Sequence, residues 1–237
     1  MGEGQQTEQS PTELDKMKIL EEKGMISFDV ELTPEEREDI QEIKIEKELK
    51  QFNYYGPANE KLIRELNTYF GQLENNPQKL LNTISGIVAK AAQDMQKEFN
   101  KESVWTMVRV TLPTHEFDIP RWHTDGKYFT SNEKTYKLVF TIKGASTRFA
   151  EKTDPDKFEE LTAKDPGGEN TQIKKELETT VQETEPISKD KTVIYLVGDK
   201  NAKVHSEPIM DESRIFISVV PGSLEQIEEL KKRWEEE

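Results

Sequence analysis

The stretch Arg121-Trp122-His123-Thr124-Asp125-Gly126-Lys127-Tyr128-Phe129 decides how the chain is read, because it sets an imidazole and a carboxylate two residues apart in a context that reads as extended. In a strand, residues i and i+2 project from the same face, so His123 and Asp125 converge on one point. His205, in Val204-His205-Ser206-Glu207-Pro208 far downstream, offers a second imidazole. Nine residues beyond it Arg214 opens the apolar run Arg214-Ile215-Phe216-Ile217-Ser218-Val219-Val220. Two imidazoles and one carboxylate make a metal-binding set that leaves coordination positions open. A His-x-Asp alone is weak; this combination uses two of the three histidines in the chain.

Outward from that stretch the period is two. Val108, Val110 and Leu112 alternate with Arg109 and Thr111, and Tyr136, Leu138, Phe140 and Ile142 alternate with Lys137, Val139, Thr141 and Lys143. Lys191 to Val197 and Arg214 to Val220 supply two more strands. Between them the chain turns polar from Glu151 to Asp190, with helix-compatible pieces at 155–163 and 172–179 and a Pro166-Gly167-Gly168 break. That excursion has too few apolar residues for its own core, so it reads as an insertion and is expected to form a mobile lid over the site.

Upstream the period changes to that of helices. Leu62, Ile63, Leu66, Tyr69, Phe70 and Leu73 form one stripe, and Leu80, Leu81, Ile84, Ile87, Val88, Ala91, Met95 and Phe99 form a second after Asn76-Pro77. Such stripes read as helices laid against one face of a sheet. Ile26, Phe28, Val30 and Leu32 alternate as a strand over 25–32, and Thr33-Pro34-Glu35-Glu36 is a capping box with an N1 proline, predicting a charged helix from Pro34 to about Phe52. Residues 1–15 carry nothing to bury and read as a disordered tail. At the other end Pro221-Gly222 breaks the last strand, and Ser223 with Gln226 caps a helix over 223–236. The whole reads as one α+β, mainly β domain over 16–237, with helical support at about 33–100, a β core at about 104–221 and the inserted lid at about 151–190.

Composition narrows the function. With 47 acidic against 33 basic residues the net charge is −14, which argues against a protein that holds nucleic acid by phosphate contacts. There is no cysteine, which excludes disulfides, thiolate metal ligands and thiol catalysis. No apolar leader and no 18-residue apolar run are present, so the expectation is a cytoplasmic protein with no membrane association.

The pattern resembles the Fe(II)- and 2-oxoglutarate-dependent dioxygenase superfamily, and its layout is similar to the prolyl-hydroxylase-like members. The family's His-x-Asp, distal His and following Arg fall on His123, Asp125, His205 and Arg214, and Gly144 to Phe149 is similar to its Gly-rich turn before a strand facing the active site. The resemblance covers about 104–221. It implies a double-stranded β-helix, a jelly-roll pair of sheets with Fe(II) held by His123, Asp125 and His205. It also implies 2-oxoglutarate as co-substrate, chelating the metal at one end and meeting Arg214 at the other. O2 would then be consumed, succinate and CO2 released, and a protein side chain or small metabolite hydroxylated. Asp125 stands where related halogenases have a small residue, which disfavours halogenation.

Arg109 and Thr111 share one strand face. Turned inward they are co-substrate contacts; turned outward Arg109 is a solvated surface cation. Arg148 either meets an anionic substrate or is a solvated turn arginine, His115 reads as an exposed loop histidine, and Tyr128 and Phe129 as wall or core. Two rivals remain: a cupin-type metal-binding isomerase, which has no need of Arg214, and a non-catalytic binding protein, which has no need of the triad.

Overall fold

A computed structural model of the chain describes residues 13–30, 32–188 and 191–235. Helix α1 (Glu13–Lys23) leads into strand β1 (Met25–Asp29), the capped helix α2 (Pro34–Gln41) and strand β2 (Leu49–Gly56). Helices α3 (Glu60–Phe70) and α4 (Gln78–Glu98) follow, then strands β3 (Ser103–Thr111), β4 (Thr135–Lys143) and β5 (Arg148–Lys152). The polar excursion contains α5 (Pro155–Lys164), α6 (Thr171–Glu178) and β6 (Val181–Glu183). Strands β7 (Lys191–Val197), β8 (Val204–Ser206) and β9 (Arg214–Gly222) and helix α7 (Leu224–Glu235) complete the chain.

The strands form a six-stranded antiparallel sheet, β1-β7-β4-β9-β3-β2, and a three-stranded antiparallel sheet, β6-β5-β8. The two-residue period divides the large sheet's side chains between two cores. On one face Val108, Val110, Leu138, Phe140, Ile194, Ile215 and Ile217 pack with Leu62, Leu66, Phe70, Leu81, Ile84, Val88 and Met95 of α3 and α4. On the other, Trp105, Met107, Val139, Val193, Tyr195 and Val220 pack with Phe149 of the small sheet, Tyr128, Phe129 and Ile227 and Leu230 of α7. A third cluster lies on the small sheet, where Ala150 and Val204 meet Trp122, Phe158, Leu161 and Leu177.

The structure departs from the sequence reading in several places. The charged helix stops at Gln41 instead of running to about Phe52, and 49–56 pairs with β3 across a register irregularity between Leu49 and Phe52. Alternating Phe52 and Tyr54 fit a pleated edge, and pairing with β3 sets Tyr54 in the core with Phe52 packed against it, burial that the local pattern does not specify. The strand expected over 25–32 ends at Asp29. Residues 1–12 lie outside the described residues, but Glu13 to Asp15 belong to α1, which buries Leu20. The strand reading of 121–129 also fails: His123 makes one isolated bridge and its neighbours run as loop.

The excursion differs most. Helices α5 and α6 begin and end close to expectation, but they lay Phe158, Leu161 and Leu177, all essentially fully buried, against the small sheet. This is a packed outer layer. Strand β4 is buried on both faces: Lys137, Val139 and Thr141, which alternate with the helix-facing residues, are buried as well. Among the described residues no helix is long and apolar enough to cross a membrane.

Candidate metal centre

His123 and His205 exchange both backbone hydrogen bonds, His123 N–H to the His205 carbonyl at 3.0 Å and the reverse at 2.9 Å. Directly opposed antiparallel residues point their side chains to one side, and the two imidazole centroids lie 4.3 Å apart. Asp125 is tied to the end of β7 by Gly198 N–H, which donates to its carbonyl at 3.0 Å. One donor atom from each of His123, Asp125 and His205 lies within 4.8 Å of the others. The three sequence-predicted ligands therefore converge, through a bridge and a loop instead of a strand pair.

The imidazoles are oriented from behind. Nδ1 of His123 lies 2.7 Å from the Arg121 carbonyl and Nδ1 of His205 3.2 Å from the Lys203 carbonyl. A carbonyl only accepts, so each Nδ1 carries a proton, which leaves Nε2 as the ring nitrogen available to a metal. Burial drives the His205 pKa down to about 4, against the opposing pull of Asp125, so the ring is neutral near pH 7. Asp125 faces the opposite balance. Burial alone would raise its pKa, but Lys137, His205 and His123 hold the carboxyl well below the usual range. Its Oδ2 accepts from Lys137 Nζ at 3.1 Å and Tyr195 O–H at 2.9 Å. Lys137, pressed downward by burial and raised by Asp125 and Tyr128, ends above its ordinary value.

The site opens into a cavity of about 170 Å³ whose lining includes the three donors, Lys137, Tyr195, Arg214, Phe216, Trp105, Arg109 and Trp234. Arg214 is buried at 6% exposure, with Nε donating to the Ala145 carbonyl at 2.9 Å and one terminal nitrogen to Thr147 Oγ1 at 3.2 Å and Thr141 Oγ1 at 3.4 Å. Its guanidinium carbon lies 4.5 Å from the Phe216 ring centroid. Among the described residues no carboxylate pairs with it, and burial pushes its pKa down to about 9 despite Glu207. The turn beneath it needs Gly144, whose φ is 88° and whose added Cβ would stand 2.8 Å from the Ser213 carbonyl oxygen and 3.0 Å from Arg214 Cα. A larger cleft of about 310 Å³, lined by Leu20, Phe28, Ile87, Leu138 and Phe140, lies on the helix-covered side, away from the donors.

The remaining sequence candidates divide. Arg109 lines the cavity but is exposed, its Nε donating to Gln51 Oε1 at 2.8 Å. Thr111 opposes Arg214 across the β3–β9 ladder but does not line the cavity; Thr141 and Thr147 supply the hydroxyls beside Arg214 instead. Arg148 is held in a two-point ion pair with Glu183, at 2.7 and 2.6 Å, over the Trp122 ring. His115 is an exposed loop residue beside Asp118. Tyr128 and Phe129 are buried, the former in the cavity wall. Sequence reasoning missed Lys137, Tyr195 and the Arg121–Glu207 pair at 2.6 Å. A lysine midway along an apolar strand was the available signal for Lys137.

No protein-family model matches the chain, and no curated protein matches it. Solved structures of similar shape include a Pseudomonas putida prolyl-4-hydroxylase, 12% identical, covering 91% of this chain and 93% of that one with a TM-score of 0.39. An N-substituted L-amino acid dioxygenase from Burkholderia ambifaria, in complex with alpha-ketoglutarate, is 11% identical over 86% of this chain and 85% of that one, TM-score 0.42. HygX from Streptomyces hygroscopicus, with nickel and 2-oxoglutarate bound, is 9% identical over 87% and 85%, TM-score 0.41.

Proposed function

We propose that the chain is an Fe(II)- and 2-oxoglutarate-dependent dioxygenase with a double-stranded β-helix core, hydroxylating a protein side chain or a small metabolite. One observation carries the reading: two imidazoles and an ionised carboxylate converge in the wall of a cavity in which a buried arginine has no carboxylate partner among the described residues. The donor set fits a divalent ion that keeps open positions. An unpaired buried guanidinium is costly, and the 5-carboxylate of 2-oxoglutarate would satisfy it bidentately. A cupin-type isomerase would leave Arg214 unexplained.

His123, Asp125 and His205 would hold the metal through Nε2, a carboxylate oxygen and Nε2. When bound, Fe(II) with 2-oxoglutarate supplies O2 activation with oxidative decarboxylation to succinate and CO2 and delivery of one oxygen atom to a substrate C–H bond. The chain's own contribution is positional. Arg214, with the Thr141 and Thr147 hydroxyls, orients the co-substrate's distal carboxylate; Tyr195 O–H and Lys137 fix the Asp125 carboxylate; Phe216 packs its ring on the Arg214 guanidinium. Calorimetric titration with Mn(II), then with 2-oxoglutarate, tests the reading. His205→Ala should lose metal affinity steeply, because a three-donor site loses its chelating geometry, and wild-type affinity in that variant would remove His205 from the metal.

A further inference from the structure

We propose that Arg109 and the tryptophan-lined mouth of the cavity bind an anionic primary substrate, a carboxylate carried on an apolar body. The inference rests on the oxygenase reading and deepens it by naming the substrate class. Four cations line the cavity, Arg109, Arg121, Lys137 and Arg214, in a chain whose net charge is −14. Two of them are paired, Lys137 with Asp125 at 3.1 Å and Arg121 with Glu207 at 2.6 Å. Arg214 is the buried one, assigned above to the co-substrate. Arg109 is left, and among the described residues no carboxylate pairs with it.

Arg109 is held in place without being neutralised. Its Nε donates to Gln51 Oε1 at 2.8 Å; Gln51 Nε2 donates to Asn53 Oδ1 at 3.0 Å; and Asn53 Oδ1 also accepts from Trp105 Nε1 at 3.1 Å. This relay along β2 and β3 fixes the guanidinium by its inner nitrogen and leaves the terminal fork for a ligand oxygen pair. Trp234, a large apolar side chain 49% exposed, lines the same cavity with its ring 5.5 Å from Trp105. An exposed aromatic and an unpaired, pre-oriented guanidinium lining one cavity match a ligand with an apolar body and a carboxylate. The two unpaired arginines do not face each other: Arg214 opposes Thr111 and Arg109 opposes Phe216, whose ring packs on Arg214. They stand on a diagonal of the ladder with Phe216 at the corner between them.

The test uses the full chain with Zn(II) and 2-oxoglutarate, titrated with 3-phenylpropanoate and separately with the neutral 3-phenylpropanamide. Its readout is the three tryptophan indole N–H resonances, assigned with Trp→Phe variants; Trp122, buried beneath α5 and α6, is the internal control. The carboxylate should shift the Trp234 and Trp105 resonances saturably, leave Trp122 unmoved, and bind about tenfold more tightly than the amide, as a charge-assisted hydrogen-bonded contact requires. Arg109→Gln should abolish that preference and Arg109→Lys restore part of it; Arg109 is exposed, so neither variant threatens folding. Equal binding of acid and amide, or a preference that survives Arg109→Gln, overturns the inference. Calorimetry with 2-oxoglutarate on the same samples separates the two readings. A loss of 2-oxoglutarate affinity in Arg109→Gln as large as in Arg214→Gln would give both arginines to the co-substrate and also overturn it. If the wild type binds no 2-oxoglutarate yet discriminates acid from amide through Arg109, the oxygenase reading fails while the anion site stands.

Discussion

Asp125 accepts from both Lys137 and Tyr195 through the same oxygen, Oδ2, and sits 3.6 Å from His205 Nε2, so one carboxylate is the hinge of the whole centre. Lys137 neutralises it in the protein's interior. Breaking a buried pair strands the remaining charge, so Lys137→Met should destabilise the metal-free protein by about 3–5 kcal/mol. A divalent ion would give Asp125 a new partner, so saturating Mn(II) should raise the melting temperature of that variant more than that of the wild type; an equal rise would mean that Lys137 and the ion do not share the carboxylate. His205 gives the pH dependence. Its folded pKa, about 4, lies below its ordinary 6.5, so the unfolded chain binds the extra proton first. Stability of the metal-free protein is then present above pH 6.5 and is lost as pH falls toward 4, by on the order of 3 kcal/mol. Chemical denaturation across that window checks it, with His205→Gln expected to flatten the curve. The triad was legible in the sequence because few side chains can hold a metal and two of the three histidines fell in one pattern. Lys137 was not, because alternation says which residues share a face but not what covers it.

At the scale of elements, the large sheet and the helices α3 and α4 were readable from their periods of 2 and 3.6, since each buries one face against the other. The errors fell where tertiary pairing outweighs local pattern. Strand β2 was mistaken for the end of a helix, and His123 for a strand residue, because a single bridge to His205 leaves no periodic trace. In the excursion, polarity hides the packing: Phe158, Leu161 and Leu177 of α5 and α6 are few but cluster with Trp122, Ala150 and Val204. Phe158→Ala should therefore cost about 3–5 kcal/mol in urea denaturation, the range for emptying a packed core position. A mobile lid would tolerate the change. In the β4–β5 turn, Gly144→Ala should lower 2-oxoglutarate affinity along with stability, because the new Cβ meets the backbone that launches Arg214. Unchanged affinity would detach that turn from the co-substrate end of the cavity.

Taken as a molecule, the chain has a net charge of −14, yet four cations, Arg109, Arg121, Lys137 and Arg214, line one cavity. The metal donors sit at the small sheet's β8 and the loop before β4, and Arg214 sits on the large sheet. A ligand spanning the cavity would therefore touch both sheets, and its binding should slow amide exchange in β8 and β9 together. The most direct test of the central claim is anaerobic addition of Fe(II) and then 2-oxoglutarate, followed by visible absorption for the weak metal-to-ligand charge-transfer band of a chelated 2-oxo acid. The wild type should develop the band with saturating 2-oxoglutarate. Arg214→Ala should still bind Fe(II) but require far more co-substrate, a loss of about 2–5 kcal/mol for truncating one partner of a buried charge pair. A wild-type protein that never develops the band, or an Arg214→Ala variant that develops it at the wild-type concentration, would contradict the account.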